Sequence, residues 1–244
     1  MNATLLALET ATDVCGAALV QDGTLLAEAH LHRPRVHAGQ LTPPVRNLLA
    51  RGEVAPAALD AVAVSMGPGS YTGLRIGVST AKGLALATGA ALVGVPTLEA
   101  LAAAVCPYAR AGDVISALLD ARRNEVYAAA YRTEETGADA LAPHADTAAL
   151  SVETLADWLG PVDGTLWLVG DGAAKAAPAL EAAGYAPRTL SPAVHAPSAA
   201  WVGRRGWQRF ARGDTDDVAA FEPYYLKAFA GTQPDKTPFE RLPG

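Results

Sequence analysis

Cysteine is scarce in this chain: Cys15 and Cys106 are the only two in 244 residues. Their separation fits neither a redox dithiol nor a zinc spacing, so both are expected as small buried side chains in a reducing compartment. Positive charge is also short. With 19 Lys and Arg against 25 Asp and Glu, the net charge is −6, which argues against a broadly basic nucleic-acid face. Long apolar runs are missing too. The longest, residues 83–95, lies between Lys82 and Pro96 and is too short to span a bilayer. Residues 1–8 lack the basic start of a secretion signal, and Glu9 cuts the apolar run that follows, so a cytoplasmic protein away from the membrane is expected. Aromatics are only 6% of the chain, yet its hydrophobic fraction of 50% is ample for a sizeable core.

Catalytic constellations are equally sparse. His30, His32 and His37 share no helical four-residue spacing with an accompanying glutamate, and His144 and His195 stand alone, so no metal ligand is assigned. No Ser/His/Asp set can be assembled, and no catalytic residue is assigned. A glycine-rich loop at 67–73 is not closed by Gly-Lys-Ser or Gly-Lys-Thr, and Lys82 comes too late for a Walker A motif.

What is present is an alternation of strands and helices. Residues 4–8, 14–20 and 24–31 read as a β-meander, 37–51 as a helix limited by Pro43 and Pro44, and 61–66 as a strand. A glycine-rich helix, a strand at 91–95 and a helix at 97–105 follow. Strands at 113–120 and 125–132 restart the theme; 133–149 reads as a loop or weak strand. Then come a helix at 151–159, a strand at 165–169, a helix from Gly170-Asp171-Gly172 to about residue 183 and another at 198–212. Two related α/β lobes are expected, residues 1–105 and 106–230, with a flexible tail at 231–244. Gly170-Asp171-Gly172 is read as a plain strand-to-helix connection. Arg204, Arg205, Arg209 and Arg212 are read as the solvated side of an amphipathic helix whose other face carries Gly203, Trp207 and Phe210.

The most informative segment runs from Gly67 to Ala85. Gly67, Pro68 and Gly69 supply turn geometries that ordinary side chains resist, and Ser70 or Thr72 can cap the helix beyond. Gly73, Gly77, Ala81, Ala85 and Gly89 stand four apart and form a stripe nearly free of side chains. Each glycine there lowers helix stability by roughly 1 kcal/mol against alanine, so some close packing must compensate. Three packings fit: the chain's own sheet, a phosphate, or a partner. The partner is the expectation here, with Leu41, Val45 and Leu48 of the preceding helix and Tyr71, Gly73, Leu74, Gly77, Val78 and Ala81 of this one forming a helix-on-helix interface.

The segment 67–85 closely resembles the signature of the TsaB (YeaZ) family. Leu6-Ala7-Leu8-Glu9-Thr10-Ala11-Thr12 is similar to that family's first strand and turn, Leu118-Leu119-Asp120-Ala121-Arg122-Arg123-Asn124-Glu125-Val126-Tyr127 to its second-lobe strand pair, and Pro223-Tyr224-Tyr225-Leu226 to its C-terminal end. The resemblance covers most of the chain. It implies a two-lobed actin/Hsp70/sugar-kinase-like (ribonuclease H-like) α/β fold with a degenerate second lobe. It also implies a non-catalytic role in placing a threonylcarbamoyl group on the adenosine beside the tRNA anticodon. The partners implied are a paralogous transferase of the TsaD type and a small ATPase of the TsaE type, with tRNA engaged indirectly. No cofactor is required by this chain, and ATP or ADP at the complex interface is left open. A homodimer through the same helices is expected when the partner is absent. Two departures stand out: Glu9 replaces the family's usual aspartate, and His37 begins His-Ala-Gly rather than His-Ser-Glu. The alternative is a stand-alone ATPase or small-molecule kinase of the same fold. That chemistry needs small residues in the first hairpin turn so that amides reach the phosphates, and Glu9-Thr10-Ala11-Thr12-Asp13-Val14 contains no glycine.

Overall fold

The structure, a computed structural model, describes residues 3–32, 41–134, 140–190 and 197–227. The expected tail at 231–244, together with His37 and His195, lies outside them. The first half holds strands β1 (Thr4–Glu9), β2 (Val14–Gln21), β3 (Thr24–His32), β4 (Ala61–Gly67) and β5 (Ala91–Pro96), with helices α1 (Thr42–Arg51), α2 (Tyr71–Thr88) and α3 (Thr97–Ala103). The second holds β6 (Val114–Asp120), β7 (Glu125–Thr133), β8 (Leu141–Ser151), β9 (Leu166–Val169) and β10 (Arg188–Thr189), with α4 (Leu155–Leu159), α5 (Ala173–Ala182) and α6 (Ala199–Phe210).

The two sheets repeat one plan. Their orders are β3-β2-β1-β4-β5 and, read in the matching direction, β8-β7-β6-β9-β10. In each, an antiparallel meander of three strands is extended by two parallel ones. The central strands β1, β4 and β6 are apolar on both faces because both faces are covered, which explains their near-continuous Leu, Val and Ala runs.

On the first sheet, Leu6, Leu8, Cys15, Leu19, Val62 and Val64 face α1 and α2, contributing with Val45, Leu48, Val78 and Ala81 to one core. Leu5, Ala7, Ala63 and Val93 face the opposite way, against Ala199 and Val202 of α6. Each leucine sealed in this way contributes roughly 1.5–3 kcal/mol. Helix α6 therefore packs on the first sheet although it falls in the 106–230 segment of the sequence. It approaches closely because Gly203 and Gly206 stand against Ala7, Val20 and Ala63.

Helix α3 joins the halves. Leu98, Leu101 and Val105 bury among Ile115, Ala117, Leu119 and Ala129 of the second sheet, while Glu99 Oε1 accepts from Arg205 Nε of α6 at 2.7 Å. The arginines of α6 are thus not simply a solvated face. Arg205 pairs with Glu99, and Arg209 holds Asp214, Asp216 and the Gly94 carbonyl. The buried face is Ala199, Val202, Gly203 and Gly206, with Trp207 and Phe210 half-buried at its edges.

Three local readings are corrected. Helix α1 runs Thr42–Arg51, with Pro43 in its first turn, where a missing N–H is tolerated; residues 37–40 of the helix read at 37–51 lie outside the described residues. The stretch 133–149, read as a loop or weak strand, carries most of the 11-residue strand β8, which runs on to Ser151 and whose pattern is blurred by its edge position and by two register shifts against β7. The two-residue strand β10 was too short to leave a periodic signal.

Candidate functional site

The glycine-rich segment and the first hairpin form one unit. Ser70 is the N-cap of α2, its hydroxyl accepting from Gly73 N at 3.3 Å, and its own N–H donates to the Ala11 carbonyl at 2.6 Å. The Thr10 hydroxyl donates to the Gly73 carbonyl at 2.8 Å. A Cβ at Gly69 would overlap the Ala11 carbonyl, one at Gly73 the Thr10 carbonyl, and one at Gly77 the Thr10 hydroxyl oxygen. The small-residue stripe therefore lies on the chain's own β1–β2 turn, where only glycine leaves room for backbone to meet backbone.

This overturns the expected contact set on α1 and α2. Leu41, Val45, Leu48, Gly73, Leu74, Gly77, Val78 and Ala81 are buried within the chain, and only Tyr71 of that set is partly open. Leucine and glycine spacing identified two helices with a tightly packed face, but that face covers their own sheet. The side chains left exposed on the same helices are Thr42, Pro43, Arg46, Asn47, Ala50 and Arg51 of α1 and Thr72, Arg75, Ser79, Leu86 and Ala87 of α2. Leu86 is 74% exposed, and nothing stands within 4 Å of a Cβ built on Gly83.

Glu9 closes the end of β1 with its carboxyl wholly inside the protein. One oxygen accepts from Ala11 N at 2.6 Å; the other, Oε2, has no hydrogen-bond partner among the described residues. Burial pushes its pKa up to about 7, only partly offset by the Ala11 amide and by nearby Ser65. The same carboxyl, after burial itself, raises the pKa of the adjacent Cys15 thiol.

Between the halves lies a cleft of about 560 Å³. Ala11, Thr12, Asp13 and the loop Pro68, Gly69, Ser70, Tyr71 and Thr72 form one wall; Gly67 sits behind it at φ 123°, against the Tyr224 carbonyl. The other wall holds Leu119, Asp120, Ala121, Arg122, Tyr127 and Asp171, and Tyr224, Tyr225, Leu226 and Lys227 also line the space. The cleft carboxylates escaped sequence reasoning because Asp13, Asp120 and Asp171 come from three separate segments of the chain, Asp13 on one wall and the other two on the facing one.

Their electrostatics differ. Burial opposes the charge on Asp120, but Lys175 Nζ at 2.5 Å and the Arg122 amide hold its pKa below the ordinary carboxylate value. Asp171 is shifted upward, by burial first and then by the charges of Asp120 and Asp13, although its carboxylate accepts from Asp120 N at 2.8 Å. The Gly170-Asp171-Gly172 turn does connect β9 to α5, as read, and also brings Asp171 into the cleft.

His30 and His144 serve structure. His30 Nε2 accepts from Ala199 N at 3.0 Å at the start of α6, so the ring is neutral, and its 3.8 Å approach to Glu28 is no ion pair in that state. His144 contacts the Leu159 carbonyl and Arg132. Among the described residues no group of three or more His, Cys, Asp or Glu could hold a metal ion, and no helix is long and apolar enough to cross a membrane.

The comparisons agree with this architecture. Residues 27–162, over half of the chain, match the family model of TsaD, tRNA N6-adenosine threonylcarbamoyltransferase. The "tRNA threonylcarbamoyladenosine biosynthesis protein TsaB" of Escherichia coli is 40% identical over 133 residues, 54% of this chain and 57% of that protein. Its Bacillus subtilis namesake is 36% identical over 156 residues, 64% of each chain, so the match spans less than two thirds of either relative. The solved structure of YeaZ from Pseudomonas aeruginosa superposes with a TM-score of 0.77 at 31% identity, covering 92% of this chain and 100% of that one. Component A of (R)-2-hydroxyglutaryl-CoA dehydratase from Acidaminococcus fermentans, with a TM-score of 0.52 at 10% identity over 86% of this chain and 99% of that one, shares the fold alone. With two matching α/β lobes of the actin and sugar-kinase type, and a YeaZ structure covered from end to end, the chain belongs to the TsaB/YeaZ family.

Proposed function

We propose that this protein is a non-catalytic subunit in threonylcarbamoyladenosine formation on tRNA, acting by dimerising with a paralogous transferase through its first-lobe helices. The observation that carries the reading is the packing of the β1–β2 turn against α2, beside the enclosed carboxyl of Glu9. Phosphoryl transfer on this fold would require that turn to offer backbone amides to phosphates and a carboxylate to a metal. Here Thr10 and Ala11 of the turn pack on Ser70, Gly73 and Gly77 at the start of α2, and Glu9 is enclosed with its pKa raised to about 7. That arrangement disfavours a stand-alone ATPase or kinase. It leaves α1 and α2 as a rigid two-helix layer whose outer face is free to meet a partner.

The contact is assigned to the exposed side of that layer, around Ser79, Gly83 and Leu86. A small ATPase would join this pair, and tRNA would be held mainly by the transferase, in keeping with the acidic net charge of −6. The test is sedimentation of the protein with the transferase paralogue of its own organism. A stable one-to-one complex lost in Leu86→Arg, with the circular dichroism of the variant unchanged, is expected. A complex that survives Leu86→Arg and Gly83→Glu alike would remove this interface from consideration.

A further inference from the structure

Residues 219–227 leave the first lobe and end on the second, and every few residues they are tied down. Lys82 Nζ donates to the carbonyls of Ala219 at 3.1 Å and Phe221 at 2.9 Å. The Phe221 ring is buried over Gly94 and Met66. Tyr224 N donates to the Met66 carbonyl at 2.7 Å. The Tyr225 ring packs on Tyr71 with centroids 4.9 Å apart, and its hydroxyl accepts from Arg75 Nε at 3.3 Å. All of these anchors belong to the first lobe.

Two residues later the attachment changes sides. Lys227 Nζ donates to Glu125 Oε2 at 2.8 Å and to the Ala121 carbonyl at 3.4 Å, and it stands 5.4 Å from the centroid of Tyr127. These three residues border the β6–β7 hairpin of the second lobe. Two residues of chain reach about 7 Å at full extension, so beyond the reach of the two side chains the crossing leaves little room for the lobes to part. If the lobes part, either the tyrosine anchor or the lysine anchor must let go.

We propose that residues 221–227 form a clasp over the inter-lobe cleft that sets how far the lobes stand apart, and that release of Lys227 from the β6–β7 hairpin is the opening step. The two anchors are unequal. Phe221, Tyr224 and Tyr225 are held by burial, stacking and a backbone hydrogen bond, whereas the side chains of Lys227 and Glu125 are 30% and 41% exposed, and water screens their attraction. On the far side, α3 fastens the lobes with buried Leu98 and Leu101 against Ile115 and Leu119. A hinge of apolar contacts on one side and a weak polar catch on the other is the arrangement of a closable cleft. The clasp does not depend on the partner assigned to α1 and α2.

The experiment places spin labels on exposed Ala57 of the first lobe and exposed Ala182 of α5, as Ala57→Cys and Ala182→Cys in a full-length Cys106→Ala background. Electron–electron distance distributions are then compared with and without Lys227→Met and, separately, Glu125→Gln. Each clasp variant is expected to move the distribution to longer distance and broaden it, while Asp157→Asn, a change at an exposed position of α4 on the same lobe, leaves it in place. The Glu125→Gln arm keeps the question open to refutation if Lys227→Met folds poorly. A folded variant of either kind whose distribution superimposes on the parent's overturns the proposal.

Discussion

The hydroxyl of Thr10 donates to the carbonyl of Gly73 at 2.8 Å, and one helical turn on, Gly77 leaves space for that same hydroxyl. This contact fixes the helix that carries the glycine loop upon the hairpin that ends β1. It divides the glycines of α2 into two kinds with opposite expected behaviour.

Gly77→Ala should destabilise the protein by about 1–3 kcal/mol, the usual consequence of forcing a methyl into filled space. Gly83→Ala, on the open side of the same helix, should stabilise it by roughly 1 kcal/mol through helix propensity. Denaturant unfolding of the two variants checks both signs. Adding Thr10→Ala should recover part of the Gly77→Ala loss, a coupling that a double-mutant cycle measures directly.

Glu9 gives a stability that falls as pH rises. Its pKa is raised from 4.5 to about 7 in the fold, so between those values the unfolded chain ionises while the native one keeps its proton. Stabilisation is complete below pH 4.5, declines through the interval and is lost above about 7, a total on the order of 3 kcal/mol. Glu9→Gln should flatten this component in unfolding curves taken from pH 5 to 8. A variant with the parent's full slope would show that the carboxyl ionises freely in the native state.

His30 acts with the opposite sign. Burial lowers its pKa below 6.5, with the neighbouring His32 adding to that effect and Glu28 opposing it. Protonation would also remove the acceptor for Ala199 N and place a positive charge at the N-terminus of α6. The unfolded chain then takes up the proton more readily, so stability is full above about pH 6.5 and falls as the pH drops below it. His30→Asn should lose this acid sensitivity. Amide exchange at Ala199 and Ala200 between pH 7 and pH 5 localises the effect: faster exchange is expected in the parent but not in the variant.

The strands were legible where burial on both faces produced unbroken apolar runs, as in β1, β4 and β6. The repeated meander announced two lobes. Spacing also identified the α2 stripe, but periodicity states which residues share a face and not what the face meets; here Thr10, 63 residues away from Gly73, decided it. The same limit hid the placement of α6, whose cap is completed by His30 across 169 residues of sequence. The cleft carboxylates Asp13, Asp120 and Asp171 carry no local signal, since each sits in a turn or at a strand end that reads as ordinary until the sheets are brought together. Glu9 showed its chemistry as a departure from a family pattern, while its burial became apparent only in the folded chain.

The most direct test of the non-catalytic role is threonylcarbamoylation of tRNA in a mixture of the transferase paralogue, the small ATPase and the activated threonyl donor, with and without this protein. Modification that requires the protein, and fails with Leu86→Arg, is the expected result, together with no ATP hydrolysis by the protein alone in magnesium. Modification at an equal rate in its absence would contradict the role, and ATP turnover by the isolated chain would restore the kinase or ATPase reading in its place.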